Sequence, residues 1–182
     1  LRGQDACQHG IVSWETDRGG RGVMEAYIFQ HCNQEHMCGF VFDGHGGATI
    51  SSYLASSFQY FSSTMASLSP ESVTTMWRMI NDTLSGMPGG STCTGFMWRD
   101  GEWTVYNAGD SRTYIIDSES ETIVFKTRDH KPDEEVDRIS ALGGVVINGR
   151  ISGSLAVSRS FGDFHYIGVI PDPDVTNIFD GD

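Results

Sequence analysis

The chain has 182 residues, of which 38% are hydrophobic and 11% aromatic. That is enough apolar material for one packed domain, and it excludes a disordered composition. Its 24 acidic against 12 basic side chains leave a net charge of −12, which argues against nucleic acid and anionic membranes as main partners and permits a carboxylate-lined cation site. No apolar run is long enough to span a bilayer and no basic-then-apolar leader is visible. The first residue is Leu1, so the expectation is a fragment or processed form of a longer protein, without membrane insertion.

In chain order, Met37 to Phe42 is a short apolar run that ends at Asp43 and a tight Gly44-His45-Gly46-Gly47 turn, followed by a helix-like stretch from about Ala48 to Phe61. Ser69-Pro70-Glu71 reads as a helix start: Ser as N-cap, Pro in the first turn, an acid behind it. Val73, Trp77, Ile80 and Leu84 follow at helical spacing and are expected in the core, with Gly86 closing the helix. The period then changes. Cys93 to Trp98 and Trp103 to Asn107 read as strands around an Asp100-Gly101 turn. Thr113 to Ile116 and Thr122 to Lys126 read as two more, extending an antiparallel meander. Pro132 to Glu135 opens a helix carrying Val136, Ile139 and Leu142, stopped at Gly143-Gly144. A small hairpin turns at Asn148-Gly149. Strands and helices in blocks imply α+β, with an antiparallel sheet buried on both faces and helices outside.

The four cysteines, Cys7, Cys32, Cys38 and Cys93, do not form a disulfide framework by spacing. Cys38 and Cys93 lie in apolar runs and read as buried small hydrophobes. Cys7, His9, Cys32 and His36 could suggest zinc, but no CxxC pair supports it. An intracellular, reducing location fits this cysteine usage better than secretion.

Four clusters carry chemistry. In Asp43-Gly44-His45-Gly46-Gly47, a carboxylate at a strand tip is held rigidly and can take hard cations such as Mg²⁺ or Mn²⁺. The Gly44 carbonyl is unshielded, and His45 could protonate a leaving oxygen. The bland reading is an ordinary Asp-Gly turn. In Arg21-Gly22-Val23-Met24-Glu25, a guanidinium suits phosphate and Glu25 could hold metal-bound water; such a pair is more often a surface ion pair. Asn107 to Arg112 is a sharp turn whose Asp110 could approach a cation, or could only stabilise its own turn. Asp129-His130-Lys131-Pro132 and the run from Gly153 to Asp163 read, by physics alone, as a helix followed by a Gly/Ser-rich loop.

In order, the Arg-x-x-Met-Glu block, Asp-Gly-His-Gly-Gly, Gly90-Ser91-Thr92, Gly-Asp-Ser-Arg, Asp-His-Lys-Pro and Leu-Ala-Val-Ser-Arg-Ser-Phe-Gly-Asp, with Pro171-Asp172-Pro173-Asp174-Val175 after them, resemble the type 2C (PPM) metal-dependent Ser/Thr protein phosphatases. The resemblance runs from about residue 10 to the end. It implies an antiparallel β-sandwich flanked by helices, phosphoprotein substrates, and hydrolysis by a water activated between two Mn²⁺ or Mg²⁺ ions, with a third, weaker metal. It further implies that Asp43 bridges the ions, the Gly44 carbonyl binds one, and Glu25 acts through water. Asp110 would help the third metal, Arg21 bind the phosphate, and His45 serve as general acid. The region from about 131 to 166 would be a flap beside the site, with Arg159 a substrate contact.

Two departures stand out. Ala26 occupies a position where the family usually has Asp, and the chain ends at Asp182, before the family's last metal-binding aspartates. The expectation is therefore one partial phosphatase domain over 1–182, incomplete at its C-terminus. The isolated chain would be weakly active or inactive, and an intracellular cytoplasmic or nuclear location fits the cysteine usage. The competing reading is a pseudophosphatase kept as a binding or scaffold module.

Overall fold

The computed structural model describes residues 2–7, 10–20, 22–65 and 67–179. The chain opens with a hairpin of β1 (Arg2–Cys7) and β2 (Gly10–Glu15). Next come β3 (Ala26–Cys32), β4 (His36–His45), α1 (Thr49–Met65), α2 (Pro70–Thr83), β5 (Gly90–Ser91), β6 (Cys93–Arg99) and β7 (Glu102–Ala108). A second hairpin, β8 (Tyr114–Asp117) with β9 (Thr122–Lys126), precedes a 3-10 turn at Pro132–Glu134 and α3 (Val136–Ala141). The chain ends with a short hairpin of β10 (Val146–Ile147) and β11 (Arg150–Ile151), then β12 (Phe161–Gly162) and β13 (Asp174–Phe179).

The main sheet runs β12-β5-β4-β6-β7-β13, all antiparallel, with β3 also paired to β4. Cys38, Phe40 and Phe42 alternate along β4 toward one face, where α1 and α2 cover them. The stripe expected on α2 is in place: Val73, Trp77, Ile80 and Leu84 are buried, and Ser69 caps the helix by accepting from the Ser72 amide at 3.3 Å. Rings interlock across the layer, with Phe42 and Phe58 centroids 4.8 Å apart edge to face and Trp77 5.1 Å from Phe161. The other face carries β2, packed on β3, and the root of the second hairpin, where Thr94 and Thr113 hydroxyls meet at 2.9 Å. The architecture is the α+β class expected, an antiparallel sheet with helices on one face and hairpins on the other.

The meander is only half present. β6 and β7 pair around Asp100 and Gly101, both at positive φ as a tight two-residue turn requires. β8 and β9, however, form their own two-stranded sheet, and the place beside β7 belongs to β13, with Asp174 opposite Asn107 and Phe179 opposite Glu102. The reason lies in the turn after β7: Gly109 at φ +115° sits against Thr92 and directs the chain out of the sheet. The later helix is where it was expected, opening with the 3-10 turn at Pro132–Glu134 and ending before Gly143-Gly144. α3 spans Val136–Ala141, and of its apolar stripe only Ile139 is buried, while Val136 and Leu142 are exposed. The hairpin at Asn148-Gly149 is as expected, with both residues at positive φ.

Cys38 and Cys93 are buried free thiols, as anticipated. Cys32 is disulfide-bonded, which corrects the reading that these cysteines form no disulfide. Pairing depends on proximity in space, which spacing along the chain does not report. The disulfide also removes the premise for a reducing compartment. Of the zinc candidates, His9 and the Cys7 side chain lie outside the described residues, and a disulfide-bonded Cys32 has no thiolate to offer. No helix among the described residues is long and apolar enough to cross a membrane.

Candidate active site

β4 extends past the apolar run that predicts it, so Asp43, Gly44 and His45 belong to the strand and inherit its rigidity. Asp43 sits opposite Ala26 on β3. On its other side it is stitched to Thr92: the Thr92 amide donates to the Asp43 carbonyl at 3.0 Å, and the Asp43 amide reaches the Thr92 hydroxyl at 3.4 Å. Thr92 in turn meets the Ser111 hydroxyl at 2.7 Å, which ties the neighbouring turn of Asp110 to the same point.

Gly44 has a packing reason to be glycine. A Cβ there would lie 2.5 Å from the Ser51 hydroxyl oxygen and 2.6 Å from the Glu25 carbonyl oxygen. The Gly44 amide donates to that carbonyl at 3.0 Å, and the Glu25 carboxylate accepts from the Gly47 amide at 3.0 Å. Glu25 is thereby held to the turn that follows Asp43.

Glu25, Asp43, Gly44, His45 and Asp110 line one cavity of about 490 Å³, together with Thr92, Arg18 and, from the opposite wall, Arg150, Ser154, Leu155, Val157 and Tyr166. The opposite wall is the segment expected as a flap. It has its own small core of Ile139, Ile151, Leu155 and Val157. Every expected metal-site residue thus faces one space. Arg21 lies outside the described residues. Arg159 does not line the cavity: its guanidinium is committed to Glu135 and to Asp174 Oδ1 at 3.0 Å, with Nη1 also donating to the Asp172 carbonyl at 3.0 Å.

His45 has a partner that the sequence motifs did not assign. Its Nε2 lies 2.6 Å from Oδ2 of Asp163, a buried carboxylate that also accepts from the Ser160 hydroxyl at 2.5 Å. Burial works against charge on the imidazole. The hydrogen bond to Asp163, the charge of Asp163 and those of Asp43 and Asp110 outweigh it, and the His45 pKa is raised. Gly90 leaves the room for this pair, because a Cβ there would fall 2.5 Å from His45 Nε2 and closer still to Asp163 Oδ2. Asp163 stands in the Ser-Arg-Ser-Phe-Gly-Asp run, 118 residues from His45, so only the fold reveals the contact.

Besides Asp43, the cavity lining includes the carboxylate-bearing Glu25 and Asp110, and carboxylate oxygens suit Mg²⁺ or Mn²⁺ rather than a soft metal. Among the described residues no group of three or more His, Cys, Asp or Glu is close enough to enclose an ion.

The family model described as "Protein phosphatase 2C" matches residues 23–180. The protein named "Probable protein phosphatase 2C 30" of Arabidopsis thaliana is 35% identical over 182 aligned residues, covering 87% of this chain and 46% of that protein. Protein phosphatase 1L of Bos taurus is 34% identical, covering 87% and 52%. The chain thus spans about half the length of these curated relatives. Among solved structures, a phosphatase from a pathogenic strain of Toxoplasma gondii superposes with a TM-score of 0.76 at 22% identity, over 88% of this chain and 69% of the other. A sex-determining protein of C. elegans superposes with a TM-score of 0.74 at 20% identity, over 98% and 47%.

Proposed function

Because this chain belongs to the protein phosphatase 2C family, we propose that residues 1–182 form one part of a single metal-dependent phosphatase domain acting on phosphoserine and phosphothreonine in proteins. The observation that carries the reading is the convergence of Asp43, Glu25, Gly44, His45 and Asp110 on one cavity.

In this reading Asp43 and the Gly44 carbonyl would hold Mn²⁺ or Mg²⁺, Glu25 would act through water, and Asp110 would serve a further, weaker site. When bound, the cations lower the pKa of a water and neutralise charge on the phosphoryl group. The chain's own part is positional. Thr92 fixes the Asp43 backbone, which holds the base of this side chain beside the cavity. Arg21 is assigned to the substrate phosphate, and the cavity-lining Arg18 and Arg150 offset the acidic floor that would repel it. Asp163 raises the His45 pKa and occupies Nε2, so the proton handed to the departing serine or threonine oxygen would come from Nδ1. Val157 and Leu155 in the facing wall limit water entry.

The experiment is an assay of the full-length protein and of this chain on a phosphothreonine peptide with Mn²⁺, with EDTA, and as Asp43→Asn. Turnover in the full-length protein is expected to need Mn²⁺. It should fall on Asp43→Asn by more than the about 10–100-fold typical of losing an outer-sphere partner. Turnover indifferent to EDTA and to Asp43→Asn would overturn the reading.

A further inference from the structure

The cations of this acidic chain are unevenly placed. Of its 12 Lys and Arg residues, Arg112, Lys126, Arg128 and Lys131 line one groove of about 260 Å³, and these include both lysines of the sequence. The carboxylates in the same wall are Asp129 and Glu134, so the groove carries four positive charges against two negative. All four cations are exposed. The hairpin supplying the groove is polarised. Lys126 stands opposite Tyr114 at its root, whereas Asp117, Glu119 and Glu121 gather at its tip.

The internal pairing is incomplete and exchangeable. Asp129 takes both Nε and Nη2 of Arg112, at 2.5 and 2.8 Å, so that fork is closed to a ligand. Lys131 reaches the same Asp129 at 3.5 Å, a long ion pair with an exposed ammonium on a carboxylate already shared with Arg112. Arg128 meets Glu134 at 3.4 Å with both side chains about half exposed, a pair worth little in water. Arg128, Lys131 and Lys126 therefore present positive charge outward.

We propose that this groove docks an Asp/Glu-rich peptide segment of a partner protein. Carboxylates match the chemistry because the open donors are exposed ammonium groups and one loosely held guanidinium, with the bidentate Arg112 already occupied. The groove is small enough to seat a few carboxylates. A long polyanion such as nucleic acid would extend beyond it over a surface that is net negative, where repulsion acts within about 8 Å at physiological salt. The groove adjoins the proposed catalytic cavity through the turn that runs from Asp110, on the cavity, to Arg112, in the groove. The binding itself does not depend on the catalytic reading.

A fluorescein-labelled oligo-glutamate peptide, titrated with this chain at low salt and followed by fluorescence anisotropy, tests it. Lys126→Glu/Arg128→Glu is expected to weaken binding by about tenfold or more, and raised salt to weaken it in the unmodified chain. Arg99→Glu, a charge reversal at an exposed site at the far end of β6, is expected to change it by less than about twofold. The proposal is overturned if the double variant binds as the unmodified chain does, if Arg99→Glu weakens binding as much, if salt has no effect, or if oligo-thymidylate of equal charge competes as well as unlabelled peptide. Both altered groove residues are exposed, and unchanged circular dichroism and unfolding midpoints confirm that the variant chains are folded.

Discussion

Removing the charge of Glu135 should loosen the root of the flap. This carboxylate is buried, and it accepts from Arg159 Nε at 2.9 Å, Arg138 Nη2 at 2.7 Å and the Ser158 hydroxyl at 2.7 Å. Burial alone would raise its pKa. The hydrogen bonds from Arg159, Arg138 and Ser158, with the charge of Arg159, outweigh burial and bring it from 4.5 to about 2. At about 1.4 kcal/mol per pH unit that gap is worth on the order of 3 kcal/mol. Because the folded pKa is the lower one, this stabilisation is present above about pH 4.5 and is lost as pH falls through 4.5 toward 2. Glu135→Gln keeps the shape and leaves two guanidinium groups facing an uncharged amide. Urea unfolding at pH 7 should show the variant about 3 kcal/mol less stable, shrinking to about 1 kcal/mol at pH 3, where the unmodified carboxyl has already given up most of its advantage. A pH 7 difference under about 1 kcal/mol, or one unchanged between the two pH values, would refute the assignment of Glu135 as the charge that anchors Arg159 and Arg138.

Two further outcomes follow from contacts in the core and the site. Gly90→Ala drives a methyl group between His45 and Asp163, so the full-length protein is expected to lose about tenfold or more in turnover on a phosphopeptide while Mn²⁺ affinity, measured by calorimetry, changes little. Trp77→Ala empties a fully buried site that touches Phe58, Tyr106 and Phe161, and chemical denaturation should show a loss of about 3–5 kcal/mol.

Local signals were legible wherever the chain itself bears the physics. The cap at Ser69, the buried stripe on α2 and the turns at Asp100-Gly101 and Asn148-Gly149 depend on neighbours a few residues apart, and the structure has them as expected. The meander failed because strand pairing is a contest between distant segments: β13, some seventy residues on, takes the edge of β7 that the adjacent hairpin was expected to fill. On α3 the periodicity marks one face of the helix but not what lies against it: Ile139 is buried, whereas Val136 and Leu142 are exposed.

The sequence by itself identified the residue types a cation-dependent phosphate chemistry needs and the order in which they occur, because an oxygen ligand, a proton donor and a tight glycine turn are properties of single positions. Only the tertiary structure decided that Asp43, Glu25 and Asp110 share one cavity, that Asp163 rather than any neighbour grips His45, and that Arg159 faces Glu135 and Asp174 instead of the cavity. Those are distances between segments tens of residues apart. They are set by how β4 is clamped between β3, β5 and β6 and by where the flap packs, and no local pattern encodes them.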